Sequence, residues 1–340
     1  MLRLPPFRYR APKTIHDAVS WLAESPADTM LVAGGTDLLP NMKRRQQTPK
    51  TVIGLRGIAE LSGIRHEKDL VLGAGTTLTA LVTSPVVREK CLGLYQSAAQ
   101  IATGHLRNMA TIGGNLCLDT RCSYYDQSEE WRRAIAFCMK KDGTTCWVAP
   151  SSKRCLAVSS TDSAPMLMAL DARVALVSAS GTRTVALADL YDNDGMRYLT
   201  RRPDELLTEV VIPGASAVRS TYWKLRRRGS FDFPVGAAAA AAQFDGDGRV
   251  LSLRLVLGAV ASRPLLAEKS AALLVGEHLT DDRIDAAADA AYEIAKPMDN
   301  TDFELVWRKK MIRTLVTHAL RELRGDDMRD ARLRIARQLL

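Results

Sequence analysis

No stretch of this 340-residue chain approaches the roughly 20 uninterrupted apolar residues that a membrane-spanning helix requires. The longest apolar run, Val235 to Ala242, is Ala-rich and too short. The opening Met1-Leu2-Arg3-Leu4-Pro5-Pro6 contains no apolar segment of signal-peptide type, so a cytoplasmic protein is expected. Histidine is scarce. His16, His66, His105, His278 and His318 are scattered without metal-ligand spacing, and only His105 stands near a glycine-bearing segment. No Gly-Lys-Ser/Thr follows a glycine loop, which excludes a P-loop, and no Gly-x-Ser-x-Gly elbow is present. No isolated carboxylate pair argues for hydrolysis, so the chemistry is expected to come from cofactors rather than side chains. The formal net charge of +9 is spread over Lys43-Arg44-Arg45, Lys140-Lys141, Arg226-Arg227-Arg228 and Arg308-Lys309-Lys310. These clusters lack an aromatic-studded basic face, so acidic partners are expected and nucleic acid and membrane are not.

The length allows two or three packed domains. Apolar residues at 15, 18, 19 and 22 predict an amphipathic helix over 14–24. The run Met30-Leu31-Val32-Ala33 reads as a strand that stops at Gly34-Gly35-Thr36-Asp37 before a short helix, Leu38 to Arg45. Strands are expected at 52–55 and 70–73. Ser84-Pro85 suits the start of a helix, and another is expected over about 92–103. Thr111 to Asn115 reads as extended or turn structure. Strands follow at 174–177, 206–212, 220–225, 236–244 and 250–257. The end is helix-rich from about Arg263, with a break near Gly325.

Two glycine segments carry the first chemical signal. Ala33-Gly34-Gly35-Thr36-Asp37-Leu38 places glycines between a strand and a helix, where the backbone can approach a phosphate. An ordinary glycine turn is the competing reading. Thr111-Ile112-Gly113-Gly114-Asn115 flanks a second glycine pair with hydroxyl and amide side chains, and two such turns could clamp one extended dinucleotide. Gly73-Ala74-Gly75-Thr76-Thr77-Leu78 lacks the third glycine of a Rossmann fingerprint.

The pair AGGTDLLPNMK (Ala33 to Lys43) and ATIGGNLC (Ala110 to Cys117) resembles the two FAD loops of flavoprotein subunits in the xanthine-oxidase and carbon-monoxide-dehydrogenase family. The resemblance covers nearly the whole chain. It implies an α+β fold: a two-part FAD-binding domain of the molybdenum-hydroxylase flavoprotein type, then a smaller α+β C-terminal domain. The expected divisions are 1–58 and 59–215 for the two FAD-binding parts, 216–325 for the C-terminal domain and 326–340 for a helical tail. Carried over, it implies FAD contacts at Val32, Ala33, Gly34, Gly35, Thr36, Asp37 and Leu38, and at Thr111, Gly114 and Asn115. It also places Gly75, Thr76 and Thr77 in the same cleft, Asp162 on the cofactor and Lys224 near the flavin ring. Without it, Asp162 reads as a helix cap and Lys224 as a solvent-facing strand residue. Leu118 departs from the polar residue expected there.

Five of six cysteines fall within 39 residues, which points to metal or redox chemistry in a reducing compartment. Cys122, Cys138, Cys146 and Cys155 are spaced C-x15-C-x7-C-x8-C inside an aperiodic stretch, about 119–156. No C-x2-C pair occurs, so neither a zinc ribbon nor a bacterial ferredoxin pattern fits. On the residues alone, unrelated thiols and a cluster stay equally open. Most flavin subunits of the family lack such an insert. This one resembles the branch that reduces 4-hydroxybenzoyl-CoA, whose extra loop holds a [4Fe–4S] cluster. The resemblance implies those four cysteines as cluster ligands, partner subunits carrying molybdenum cofactor and [2Fe–2S] centres in a dimer of heterotrimers, and a ferredoxin-type electron donor. The alternatives are the FAD subunit of an oxidising molybdenum hydroxylase and a zinc-stabilised nucleic-acid-binding protein. Cys117 is assigned to packing or the flavin surroundings, and Cys91 to a helix core.

Overall fold

The computed structural model describes residues 3–229 and 231–337. Residues 338–340 of the expected tail lie outside the described residues.

Three sheets are each drawn from one contiguous part of the chain. The first is parallel, in the order Arg8–Arg10, Thr51–Gly54, Thr29–Val32. Helix Ile15–Glu24 links two of its strands. Thr14 caps that helix by accepting from the Asp17 N–H at 3.1 Å, and Ala18, Val19 and Leu22 form its buried stripe. The second sheet is antiparallel, ordered Ile64–His66, Leu70–Gly73, Leu206–Ile212, Arg173–Ser178, Gly181–Ala186. The third is antiparallel, ordered Leu265–Leu266, Val250–Gly258, Pro234–Phe244, Arg219–Arg226.

The alanine run explains how the two largest cores meet. In strand Pro234–Phe244, Ala237, Ala239 and Ala241 face one core and Ala238, Ala240 and Ala242 face the other. This period of two leaves only methyl groups on each side, so helices can pack closely on both faces. The first core joins this sheet to the second sheet and helices Leu92–Ala99 and Ser163–Ala169. The second lies under helices Asp281–Ile294 and Leu305–Arg324. Gly325, at φ 114°, ends the latter helix in the left-handed region, and Arg329–Ala336 resumes the helical path.

Three expectations change. Ile112–Leu116 is a short helix rather than extended structure, because Thr111 accepts from the Gly114 N–H at 3.1 Å and caps it. The expected helix over 92–103 ends at Ala99, and a separate short helix, Gly104–Arg107, follows beyond that range, with Ala102 at φ 49° between the two and Thr103 as the cap of the second. The aperiodic cysteine stretch carries a two-turn helix, Glu129–Ala134, capped by Ser128. That stretch is also tied at its neck: Arg121 and Val158 exchange backbone hydrogen bonds of 2.8 and 2.7 Å.

Candidate cofactor sites

A cleft of about 370 Å³ opens where the first glycine turn meets the second, a size typical of small-molecule and cofactor sites. Val32 through Leu38 line it, as do Thr111, Gly114, Asn115 and Asp162. The two turns touch directly: a Cβ on Gly34 would meet the Met109 carbonyl oxygen at 2.0 Å. Gly35 takes φ +73°, so the chain reverses there without a β-carbon penalty. Neither Gly34 nor Thr36 has a hydrogen-bond partner among the described residues, which leaves polar groups in the cleft wall available to a bound anion. Asp37 is committed elsewhere: its carboxylate pairs with Arg121 and accepts from Asn41 at 3.2 Å.

Asn115 connects the second turn to the Asp162 segment. Its side-chain oxygen accepts from Thr161 Oγ1 at 2.8 Å, Ser163 N at 3.2 Å and Ser163 Oγ at 2.5 Å. Asp162 stands at the start of helix Ser163–Ala169 without making a side-chain cap bond. Instead it accepts from Tyr222 at 2.7 Å and from Lys224 Nζ at 2.9 Å. Tyr222 and Lys224 alternate with Trp223 along one strand, so both project toward the cleft side while Trp223 joins the opposite core. Lys224 is 2% exposed, which overturns the solvent-facing reading. It lies behind Asp162 rather than in the cleft lining. Burial pushes the Asp162 carboxyl up and the Lys224 ammonium down, each against the attraction of the other.

Gly75, Thr76 and Thr77 are not among the residues lining the cleft. They brace it from behind. Ile112 N donates to Thr76 O at 2.9 Å, Leu78 N donates to Ala110 O at 2.9 Å, and the Thr76 hydroxyl is spent on the Gly63 backbone. Sequence reasoning missed the strand turn after Arg226, which brings Arg228, Phe231 and Phe233 to the cleft. It also missed Tyr198 and Asp119. An apolar-polar mixture without period was their only signal.

A second, smaller chamber lies beside the first. Cys122, Cys138, Cys146 and Cys155 all line it, all are buried, and none is in a disulfide. Among the described residues no group of three or more His, Cys, Asp or Glu is placed to hold a single metal ion. Four buried thiols around one chamber are a donor set of the kind that holds a thiolate-bound polynuclear centre. Burial pushes the thiols of Cys122 and Cys155 up, to about 12 and about 11. Gly195 closes the chamber behind Cys155, where its Cβ would stand 2.8 Å from Sγ. Asn300 and Ser262 tie the loop to the C-terminal part by donating to Leu156 O and Cys155 O at 2.6 and 3.3 Å.

Asp119 and Lys140 form the wall between cleft and chamber. Asp119 lines the former and Lys140 the latter, and they pair at 2.8 Å with side chains 5% and 6% exposed.

Residues 5–215 match the family described as the FAD binding domain in molybdopterin dehydrogenase, and residues 220–323 the CO dehydrogenase flavoprotein C-terminal domain. The nicotinate dehydrogenase FAD-subunit of Eubacterium barkeri is 28% identical, over 94% of this chain and 98% of that one. The carbon monoxide dehydrogenase medium chain of Afipia carboxidovorans is 30% identical, over 92% and 95%. Among solved structures, a Cu,Mo-CO dehydrogenase in its cyanide-inactivated form superposes with a TM-score of 0.78 at 29% identity, covering 95% of this chain and 99% of that one. Among the described residues, no helix is long and apolar enough to cross a membrane.

Proposed function

This chain belongs to the FAD-binding subunits of the molybdenum hydroxylases, a family of oxidoreductases, and from that premise we propose that it is the flavin and [4Fe–4S] subunit of a 4-hydroxybenzoyl-CoA reductase. The observation that carries the finer reading is the convergence of Cys122, Cys138, Cys146 and Cys155 on one chamber beside the cleft. When bound, FAD exchanges electrons singly or in pairs and a thiolate-held cluster exchanges them singly. The chain's own residues do the holding. Val32 to Leu38 and Thr111, Gly114 and Asn115 cradle the dinucleotide, the Gly75-Thr76-Thr77 turn supports the second glycine turn, and Asp162, fixed by Tyr222 and Lys224, faces the cofactor. Asp119 and Lys140 separate the two sites.

In this reading the aromatic substrate and molybdenum lie on a partner subunit, [2Fe–2S] centres lie on another, and a ferredoxin-type donor supplies electrons for reductive dehydroxylation to benzoyl-CoA. The division into 1–58, 59–215, 216–325 and 326–340 is kept as the working domain assignment, supported by three sheets drawn from successive stretches. The names of the relatives, nicotinate and carbon monoxide dehydrogenases, favour a second reading: a subunit of an oxidising hydroxylase.

Anaerobic purification with flavin, iron and zinc analysis tests the choice. About four irons per chain, the content of one cube, supports the reductase reading, and an iron-free yellow protein favours the second. Cys138→Ser should lose the iron and keep the flavin. Loss of both together would contradict separate sites.

A further inference from the structure

Lys140 is the one charged residue lining the four-cysteine chamber among the described residues. Its ammonium is held from several sides. It donates to Asp119 Oδ1 at 2.8 Å, Thr120 Oγ1 at 2.7 Å and Gly195 O at 2.6 Å. It also lies 4.8 Å from the Tyr125 ring centroid and 5.4 Å from that of Tyr198. Asp119 is held in turn, accepting from Tyr125 OH and Gln47 Nε2, each at 3.2 Å. A buried pair of this kind is weak evidence of a stabilising role, since apolar replacements are often neutral or stabilising. Its position suggests what it does instead.

We propose that Lys140 sets the reduction potential of a cluster held by Cys122, Cys138, Cys146 and Cys155, with Asp119 as the counter-ion that tempers it. This rests on the four-cysteine reading above. Adding one electron to such a centre increases its negative charge by one unit, with no bond made or broken. A fixed cation at the chamber wall therefore favours the reduced form. The interaction is strong because both side chains are excluded from water, where screening is weak. Cluster potentials respond to net charge and solvent exposure, and apart from the four cysteines the rest of this lining is uncharged. Asp119 acts with the opposite sign, and because it also lines the FAD cleft it places the two sites in one electrostatic unit.

The test is a dithionite titration of the anaerobically purified full chain, following the reduced cluster by electron paramagnetic resonance. Lys140→Met should lower the midpoint by 59 mV or more, a tenfold loss in the one-electron equilibrium. Lys140→Arg should keep most of the wild-type value. Asp119→Asn should move the midpoint upward. An unchanged midpoint in Lys140→Met overturns the proposal, as does a fall in both Lys140→Met and Asp119→Asn, which would mark general disruption. Should Lys140→Met lose its iron, Asp119→Asn decides alone: a rise supports the proposal and no rise overturns it. Wild-type protein without iron refutes the cluster reading itself, and this inference with it.

Discussion

A methyl group on Gly34 would stand 2.0 Å from the carbonyl oxygen of Met109 and 2.4 Å from its carbonyl carbon. The first glycine turn is therefore pressed against the segment leading into the second. The glycine is required by contact between two stretches of protein backbone, before any ligand is considered. This is a different reason from the one the sequence suggests, which is room for a phosphate.

Gly34→Ala should separate the turns and release flavin. Overpacking of this kind costs about 1–3 kcal/mol, and the cleft wall shifts with it. Gly104→Ala is the control, because nothing lies within 4 Å of its Cβ. The ratio of flavin absorbance to protein absorbance should fall in the first variant and hold in the second. Equal flavin content in both would disprove the role of the contact.

Lys224→Met should destabilise the protein by about 3–5 kcal/mol, the usual effect of leaving one partner of a buried pair alone. The pair spans the first core, joining helix Ser163–Ala169 to strand Arg219–Arg226 at 2.9 Å. Asp162 already carries a raised carboxyl value through burial, and the variant removes the cation that opposes it. A raised carboxyl is favourable to folding below its unfolded value near 3.8 and loses that benefit as pH rises through the folded value. The variant's deficit should therefore be small in acid and grow toward neutrality, as read from urea midpoints across pH. A deficit independent of pH would exclude Asp162 as its source.

Much of the fold is legible in the sequence because burial imposes a period. Strand Leu206–Ile212 and helix Ile15–Glu24 follow from apolar spacing alone. The Ile112–Leu116 helix is not legible this way: two glycines in five residues argue against a helix, and only the Thr111 cap and the backbone of residues 74–76 impose one. The cysteine spacing likewise says nothing of convergence. The Arg121–Val158 pairing brings the ends of the stretch together, and contacts from Gly195, Ser262 and Asn300 shape its interior. Those residues are remote in sequence and ordinary in type. Arg228 and Phe233 reach the cleft only because two strands pair across the turn between them.

Glu205 provides a check on the second sheet that leaves the cofactor sites alone. Its carboxylate, 1% exposed, accepts from Arg183 Nε at 2.6 Å, Arg183 Nη2 at 2.9 Å and Arg202 N at 2.7 Å. Burial pushes its value up, but these donors outweigh burial and hold it below the ordinary 4.5. A depressed carboxylate contributes stability above its unfolded value and loses it as pH falls through the folded one. Glu205→Gln should thus cost about 1.5–3 kcal/mol at neutral pH, as for hydrogen bonds to a charged group. The gap to wild type should narrow as pH falls below 4.5. Melting temperatures at pH 7 and pH 4 measure both arms, and a gap that widens in acid would reverse the assignment.

Gly195→Ala separates the chamber from the cleft most sharply. Its Cβ would stand 2.8 Å from Cys155 Sγ, 2.8 Å from Ala157 Cβ and 2.8 Å from Ala157 N, so the added methyl must displace the thiol or the backbone beside it. The Gly195 carbonyl also accepts from Lys140 and Thr120, each at 2.6 Å, so the shift carries to the wall. These three nearest atoms belong to Cys155 and Ala157, none of them to the first glycine turn. Iron content should fall while flavin content stays at the wild-type level, in protein prepared without oxygen. Retention of full iron would mean that Cys155 is not held where a cluster needs it, and that three thiolates or another group complete the site.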